Sequence, residues 1–134
     1  MRLLALLLAA TPALAERPLT GAEFEALVEG RTLTYGTAGA APYGVERYHP
    51  GRRVTWAWLD GTECSAGKWY EEGPADDRAI CFVYEHDPED PKCWNLFREG
   101  EDGLSAVFLN DGGTTVLYEI VEDPGSLVCG GAGV

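Results

Sequence analysis

The chain has 134 residues, with 22 Asp and Glu against 10 Lys and Arg, for a net charge of −12. That surplus disfavours nucleic acid and anionic membrane surfaces as partners, because both present dense negative charge, and leaves cationic proteins or neutral small molecules. The length suits one domain, and the longest apolar run, residues 3–10, is about half of the ~20 residues a membrane-spanning helix needs, so no membrane span is expected.

The first residues read as an export signal. Met1-Arg2 supplies one positive charge, residues 3–10 an apolar run, and Ala13-Leu14-Ala15 before Glu16 a small-x-small cleavage site. The expected organisation is a signal peptide over 1–15 and a single disulfide-bonded β domain over 16–134, in the periplasm or secreted. Four cysteines follow, Cys64, Cys81, Cys93 and Cys129. An even count in a small exported domain points to two disulfides, and no Cys-x-x-Cys pair suggests zinc instead.

The first element is a short helix. Thr20 and Glu23 form a capping box, Leu19 and Phe24 occupy the staple positions, and Phe24, Leu27 and Val28 share one helical stripe that Gly30 ends. After Gly30 the apolar period drops from 3.6 to 2. Strands are predicted near 31–36, 42–48, 52–59, 66–71, 79–85, 93–98, 104–109 and 115–121. Turn signals between them include Pro50-Gly51, Asp60-Gly61, Gly73-Pro74, Asp87-Pro88, Asp102-Gly103 and Asp111-Gly112-Gly113. No helical crossover separates the strands, so the sheet should be antiparallel. About eight strands in meander order predict a small β-barrel with one N-terminal helix, the alternative being a β-sandwich. Val54, Trp56 and Trp58 share a face, as do Phe82 and Tyr84, Trp94 and Leu96, Leu104, Ala106 and Phe108, and Val116, Tyr118 and Ile120. If the hairpin after the fifth strand centres near Asp87, Cys81 faces Cys93, which leaves Cys64 for Cys129; the other two connectivities stay open.

No catalytic set emerges. A nucleophile needs a histidine to take its proton, and His49 and His86 both sit at turn signals. The carboxylates of a hydrolase would come from Glu71, Asp76, Asp77, Glu85, Asp87 and Glu89, most simply read as solvated. The segment from Glu85 to Asp90 reads as an acidic loop, but lacks the alternating acids and glycine of a calcium loop. No metal or cofactor is therefore expected. Trp56, Trp58, Trp69, Trp94 and Tyr84 are either core or the wall of a ligand pocket, and Glu85, Asp87, Glu89 and Asp90 are candidates for contact with a cationic protein.

The run Trp56-x-x-x-Asp60-Gly61-x-x-Cys64-x-x-Gly67-x-Trp69, then Ile80-Cys81-Phe82-x-Tyr84 and Cys93-Trp94, resembles small exported bacterial proteins of unknown function. The resemblance brings no assigned activity. In size, export, acidity and a late cysteine the chain is also similar to periplasmic lysozyme inhibitors of the small β-barrel kind. Ser65-Ala66-Gly67-Lys68-Trp69-Tyr70 echoes their Ser-Gly-x-x-Tyr loop at a different place. The expectation is a non-enzymatic exported binding protein for a small apolar molecule or an envelope partner. The alternatives are an inhibitor of a cationic envelope enzyme such as lysozyme and a carboxylate-dependent hydrolase.

Overall fold

The computed structural model describes residues 16–39, 41–59, 63–101, 103–121, 127–129 and 132–133. The expected signal peptide, the Asp60-Gly61 turn and Asp102 lie outside the described residues.

Local chemistry starts the helix α1, Gly21–Val28. The Thr20 hydroxyl accepts from the Glu23 N–H at 3.3 Å, and the Glu23 carboxylate accepts from the Thr20 N–H at 3.0 Å. Arg17, 2.7 Å from the same carboxylate, is the main reason its pKa falls to about 2. Phe24 and Val28 face inward and are fully buried. The helix is tied to the barrel at both ends, since the Leu19 N–H donates to the Leu96 carbonyl and the Gly30 N–H to that of Tyr48. Gly30 makes that second tie with φ +79°, a conformation side chains with a Cβ rarely adopt.

Eight strands follow: β1 Thr32–Gly36, β2 Pro42–His49, β3 Arg53–Trp58, β4 Cys64–Glu72, β5 Ala79–Tyr84, β6 Asp87–Glu99, β7 Gly103–Phe108 and β8 Val116–Glu119. Each pairs antiparallel with its sequence neighbour, and β1 closes on β8 through Tyr35 opposite Glu119 and Gly36 opposite Tyr118. The molecule is thus a closed antiparallel barrel and not a sandwich. Side chains alternate across each strand, so every second residue enters the lumen. Phe24 plugs one end, its ring meeting Tyr48, Trp69 and Phe82 edge-on at centroid distances of 5.5, 5.2 and 6.3 Å.

Two expectations change. On β8 the lumen residue is Leu117, which stands opposite Ala106 and is 4% exposed; Tyr118 points outward at 39%. The apolar set Val116, Tyr118 and Ile120 is therefore not the core face. The acidic segment is also not a loop. Only Glu85 and His86 form the turn, and Asp87 to Asp90 begin the long strand β6. A register shift between Phe82 and Tyr84 absorbs the extra residues, so Cys81 still stands opposite Cys93.

Both disulfides have formed, Cys81–Cys93 and Cys64–Cys129, with Cα separations of 4.0 and 5.2 Å. They are consistent with an oxidising, exported location. The second holds the C-terminal segment on the outside of the barrel, where Leu127 covers Val45 and Ala57. Beside it lies a ribbon of β9, Val128–Cys129, and β10, Ala132–Gly133, that no sequence signal announces. Among the described residues no helix is long and apolar enough to cross a membrane.

The bridges close loops of very different size, with sequence separations of 65 and 12. Loop-closure entropy assigns roughly 4 kcal/mol to Cys64–Cys129 and roughly 3 kcal/mol to Cys81–Cys93. Replacing Cys64 and Cys129 with Ser is expected to lower the denaturant midpoint more than replacing Cys81 and Cys93. The reverse order would show that chain entropy does not decide the difference.

Candidate functional site

With α1 filling one end, a cavity of about 540 Å³ lies toward the other, where no described residue forms a comparable plug. Its wall is aromatic. Tyr43 comes from β2, Trp56 and Trp58 from β3, Phe82 and Tyr84 from β5, Trp94 from β6 and Phe108 from β7. Tyr43, Trp56 and Trp58 touch one another, with centroids 5.2–6.0 Å apart. On the opposite wall Tyr84 stacks between Phe82 at 6.3 Å and His86 at 5.7 Å, and Trp94 meets Phe108 at 4.6 Å. Gly44 makes room for this arrangement. A Cβ there would lie 2.1 Å from the Trp56 ring.

One ionisable group lies deep in that apolar wall. Alternation along β2 sends Gly44, Glu46 and Tyr48 inward, and register places Glu46 between Leu33 and Trp56. Glu46 is 2% exposed. The Tyr84 hydroxyl donates to its Oε1 at 2.7 Å, and its Oε2 has no hydrogen-bond partner among the described residues. Burial pushes the carboxyl up to about 8, against the downward pull of the Tyr84 hydrogen bond. Near neutral pH it is therefore mostly a protonated acid. Beside it the Tyr35 and Tyr48 hydroxyls share a 2.8 Å hydrogen bond, and burial raises both phenols and that of Tyr84.

The mouth is polar. His86 Nδ1 lies 2.5 Å from the Ser65 hydroxyl. Lys92 forms ion pairs with Asp87, at 3.2 Å, and with Asp90. Asn110 accepts from the Cys93 N–H at 3.0 Å and donates to the Pro91 carbonyl at 2.8 Å. The turn beside it is built on Asp111, whose carboxylate accepts from the Thr115 hydroxyl and from the N–H groups of Gly113, Thr114 and Thr115, and is held below its ordinary pKa chiefly by that hydroxyl.

Of the expected ligand residues, the structure brings Trp56, Trp58, Trp94 and Tyr84 to the cavity and leaves Trp69 out. Trp69 is 4% exposed in the core at the helix end, with the Arg52 guanidinium 4.4 Å above its ring. The acids proposed for partner contact lie on the β5–β6 edge. Glu85 and Glu89 are exposed, while Asp87 and Asp90 hold Lys92. The hydrolase carboxylates do not converge on the cavity. Glu71 accepts from the Gly21 N–H and pairs with Arg52 and Arg78, and Asp77 accepts from Asn95. His49 bonds Thr55 at 2.8 Å, away from the cavity, and burial lowers its pKa. Glu72 lies close to Cys81 and Cys93, but those sulfurs are joined in a disulfide and are not free ligands.

Sequence reasoning missed Glu46 as a cavity residue, along with Tyr35, Tyr43 and Tyr48. The period-2 pattern could have found it, because Gly44, Glu46 and Tyr48 form one face. Val45 hid the signal, being apolar and buried on the outer side under Leu127. No family model matches the chain, and no curated protein or solved structure matches it.

The buried acid makes stability depend on pH. The folded chain keeps the Glu46 proton up to about pH 8, whereas the unfolded chain loses it near the ordinary value of 4.5. This group's contribution is thus complete at low pH and is lost as pH rises from about 4.5 to 8, at up to about 1.4 kcal/mol per pH unit. Glu46→Gln is expected to gain on the parent steadily across that window in parallel denaturant titrations. A constant difference between the two proteins would mean that Glu46 is ionised in the folded state.

Proposed function

We propose that the protein is an exported, non-enzymatic carrier or sensor that holds one small, largely apolar molecule inside its barrel. The single observation behind this reading is the open cavity of about 540 Å³, walled by aromatic rings and floored by a carboxyl group with an unused oxygen. Ligand sites in proteins are commonly clefts of about 300–1,000 Å³ with mostly apolar walls and a few placed polar groups. Trp58, at 43% exposure on the lip, is placed to meet the ligand first. Export follows the reading of residues 1–15 and the two disulfides, and agrees with the resemblance to small exported bacterial proteins.

The test uses N-phenyl-1-naphthylamine, a neutral apolar dye whose emission rises out of water. The protein is expected to bind one equivalent and to quench its own tryptophan emission. Ala106 lines the cavity on β7. Ala106→Leu places extra methyl groups in the void and should weaken dye binding roughly tenfold or more, with a retained cooperative unfolding transition as the check that the variant folds. No dye uptake by the parent, or equal uptake by the variant, would overturn the reading.

A second reading has a separate surface behind it. The exposed carboxylates Glu85 and Glu89 at the mouth suit a cationic enzyme such as lysozyme. It is the weaker reading because Lys92 neutralises the neighbouring Asp87 and Asp90. Inhibition of lysozyme at low salt that fades as salt rises would support it, and no inhibition at low salt would remove it.

A further inference from the structure

We propose that the cavity selects small organic cations, aromatic or alkyl amines carrying a protonated nitrogen, with Glu46 as their counter-ion. The inference rests on the cavity reading above and adds the chemical class of the ligand.

Four observations carry it. First, Glu46 Oε1 is occupied by the Tyr84 hydroxyl while Oε2, buried and without a partner, is left for a donor brought from outside. An ammonium N–H supplies that donor, and its charge compensates the carboxylate it creates. Second, among the described residues the one Lys or Arg that lines the cavity, Lys92, is already paired with Asp87 and Asp90. The charged or titratable groups that face Glu46 are phenols: Tyr35 from β1, Tyr48 from its own strand and Tyr84 from β5. The Glu119–Arg31 ion pair, 3.1 Å apart, also acts on Tyr35, its two charges in opposite senses. Lys92 and His86 stand at the mouth, where Lys92 is already held by Asp87 and Asp90. Third, the walls are the rings of Tyr43, Trp56, Trp58, Tyr84, Trp94 and Phe108, whose negative faces attract a cation in a desolvated site. Fourth, the chain carries a net charge of −12, which raises the concentration of small cations near its surface.

Binding is coupled to a proton. In the empty barrel the Glu46 carboxyl holds its proton, and a ligand ammonium takes the proton's place. The carboxyl O–H bond breaks, the proton leaves to solvent, and the ammonium N–H hydrogen bond forms to the carboxylate. Affinity for an amine should therefore rise as pH increases from about 5.5 to 7.5, by up to about tenfold per unit. A neutral ligand that accepts a hydrogen bond from the protonated acid would show no such rise.

The experiment is calorimetry and dye displacement with 2-phenylethylamine and its uncharged counterpart 2-phenylethanol. Each is titrated into the parent protein and Glu46→Gln, in two buffers of different ionisation enthalpy. The expected result is preference of the parent for the amine by roughly tenfold or more, with close to one proton released per amine bound near pH 6.5. Glu46→Gln should lose that preference while keeping the parent's circular dichroism and cooperative unfolding transition, which shows that the variant is folded. Three outcomes overturn the cation proposal and leave the cavity reading standing: equal affinity for amine and alcohol, amine binding without proton release, or a preference that survives in Glu46→Gln. If neither probe nor the dye enters the parent protein, the cavity reading fails and the cation proposal fails with it.

Discussion

A closed sheet of eight strands has a lumen that must be filled by something, and most of this structure follows from how the two ends of that lumen are treated. Eight strands leave an interior just wide enough for side chains to fill or for one small molecule to occupy. At one end α1 provides the filling. Phe24 sits fully buried among Tyr48, Trp69 and Phe82, and Leu19 and Val28 close the layer around it. The capping box, the staple and the backbone ties at Leu19 and Gly30 all hold that plug in place. Among the described residues nothing equivalent enters from the other end. There Tyr84 reaches across to Glu46, while the other large residues line the wall around a space of about 540 Å³.

Glu46 is costly in such a place. A carboxyl in a nearly dry site loses its hydration, and one oxygen recovers nothing from the protein. Replacing Glu46 and its partner Tyr84 together by apolar side chains of similar shape would remove that cost, whereas replacing Glu46 alone would leave the Tyr84 hydroxyl without its acceptor. The fold carries this cost on other reserves: two disulfides, a capped helix and an aromatic core. A destabilising group with perturbed ionisation at the floor of a cavity is the pattern expected of a site that interacts with something else. On the proposed reading, the unused oxygen and the raised pKa are two sides of one fact, a carboxyl held without the counter-charge it would need to ionise.

Much of the fold was legible because it rests on short-range rules. The alternation of Val54, Trp56 and Trp58, the capping pair Thr20 and Glu23, and the absence of helical crossovers together define a meander of eight strands and one capped helix. The failures fall where a rule had two solutions. Val116, Tyr118 and Ile120 look like a core face, but register against Ala106 puts Leu117 inside. The prolines of residues 85–91 suggested a loop, whereas an irregular stretch of β6 takes them up and the turn shrinks to two residues. Trp69 and Trp56 have the same residue type and alternation, yet one lies under the plug and the other in the cavity wall. Only their height along the barrel separates them, and height depends on register between strands that no local pattern encodes. Glu46 was hidden for a related reason, since its neighbour Val45 is also buried, beneath a C-terminal segment that only the Cys64–Cys129 bridge brings there.

Covalent and backbone ties also fix the strands and turns around the cavity. Cys81 lies between Ile80 and Phe82, and Cys93 between Lys92 and Trp94, so the disulfide clamps the outer side of the two strands whose inner side bears the cavity residues Phe82, Tyr84, Lys92 and Trp94. The Cys93 backbone is held again from the turn after β7, its N–H by the Asn110 side chain and its carbonyl by the Leu109 N–H. The Asp111 turn fixes Thr115 at the rim in the same way. Holding these groups beforehand removes the cost of ordering them during binding. On the proposed reading, a wall held in this way around a buried, half-satisfied carboxyl would favour a ligand small enough to pass Tyr43 and Trp58 and polar at one end only, because the other contacts on offer are mostly rings.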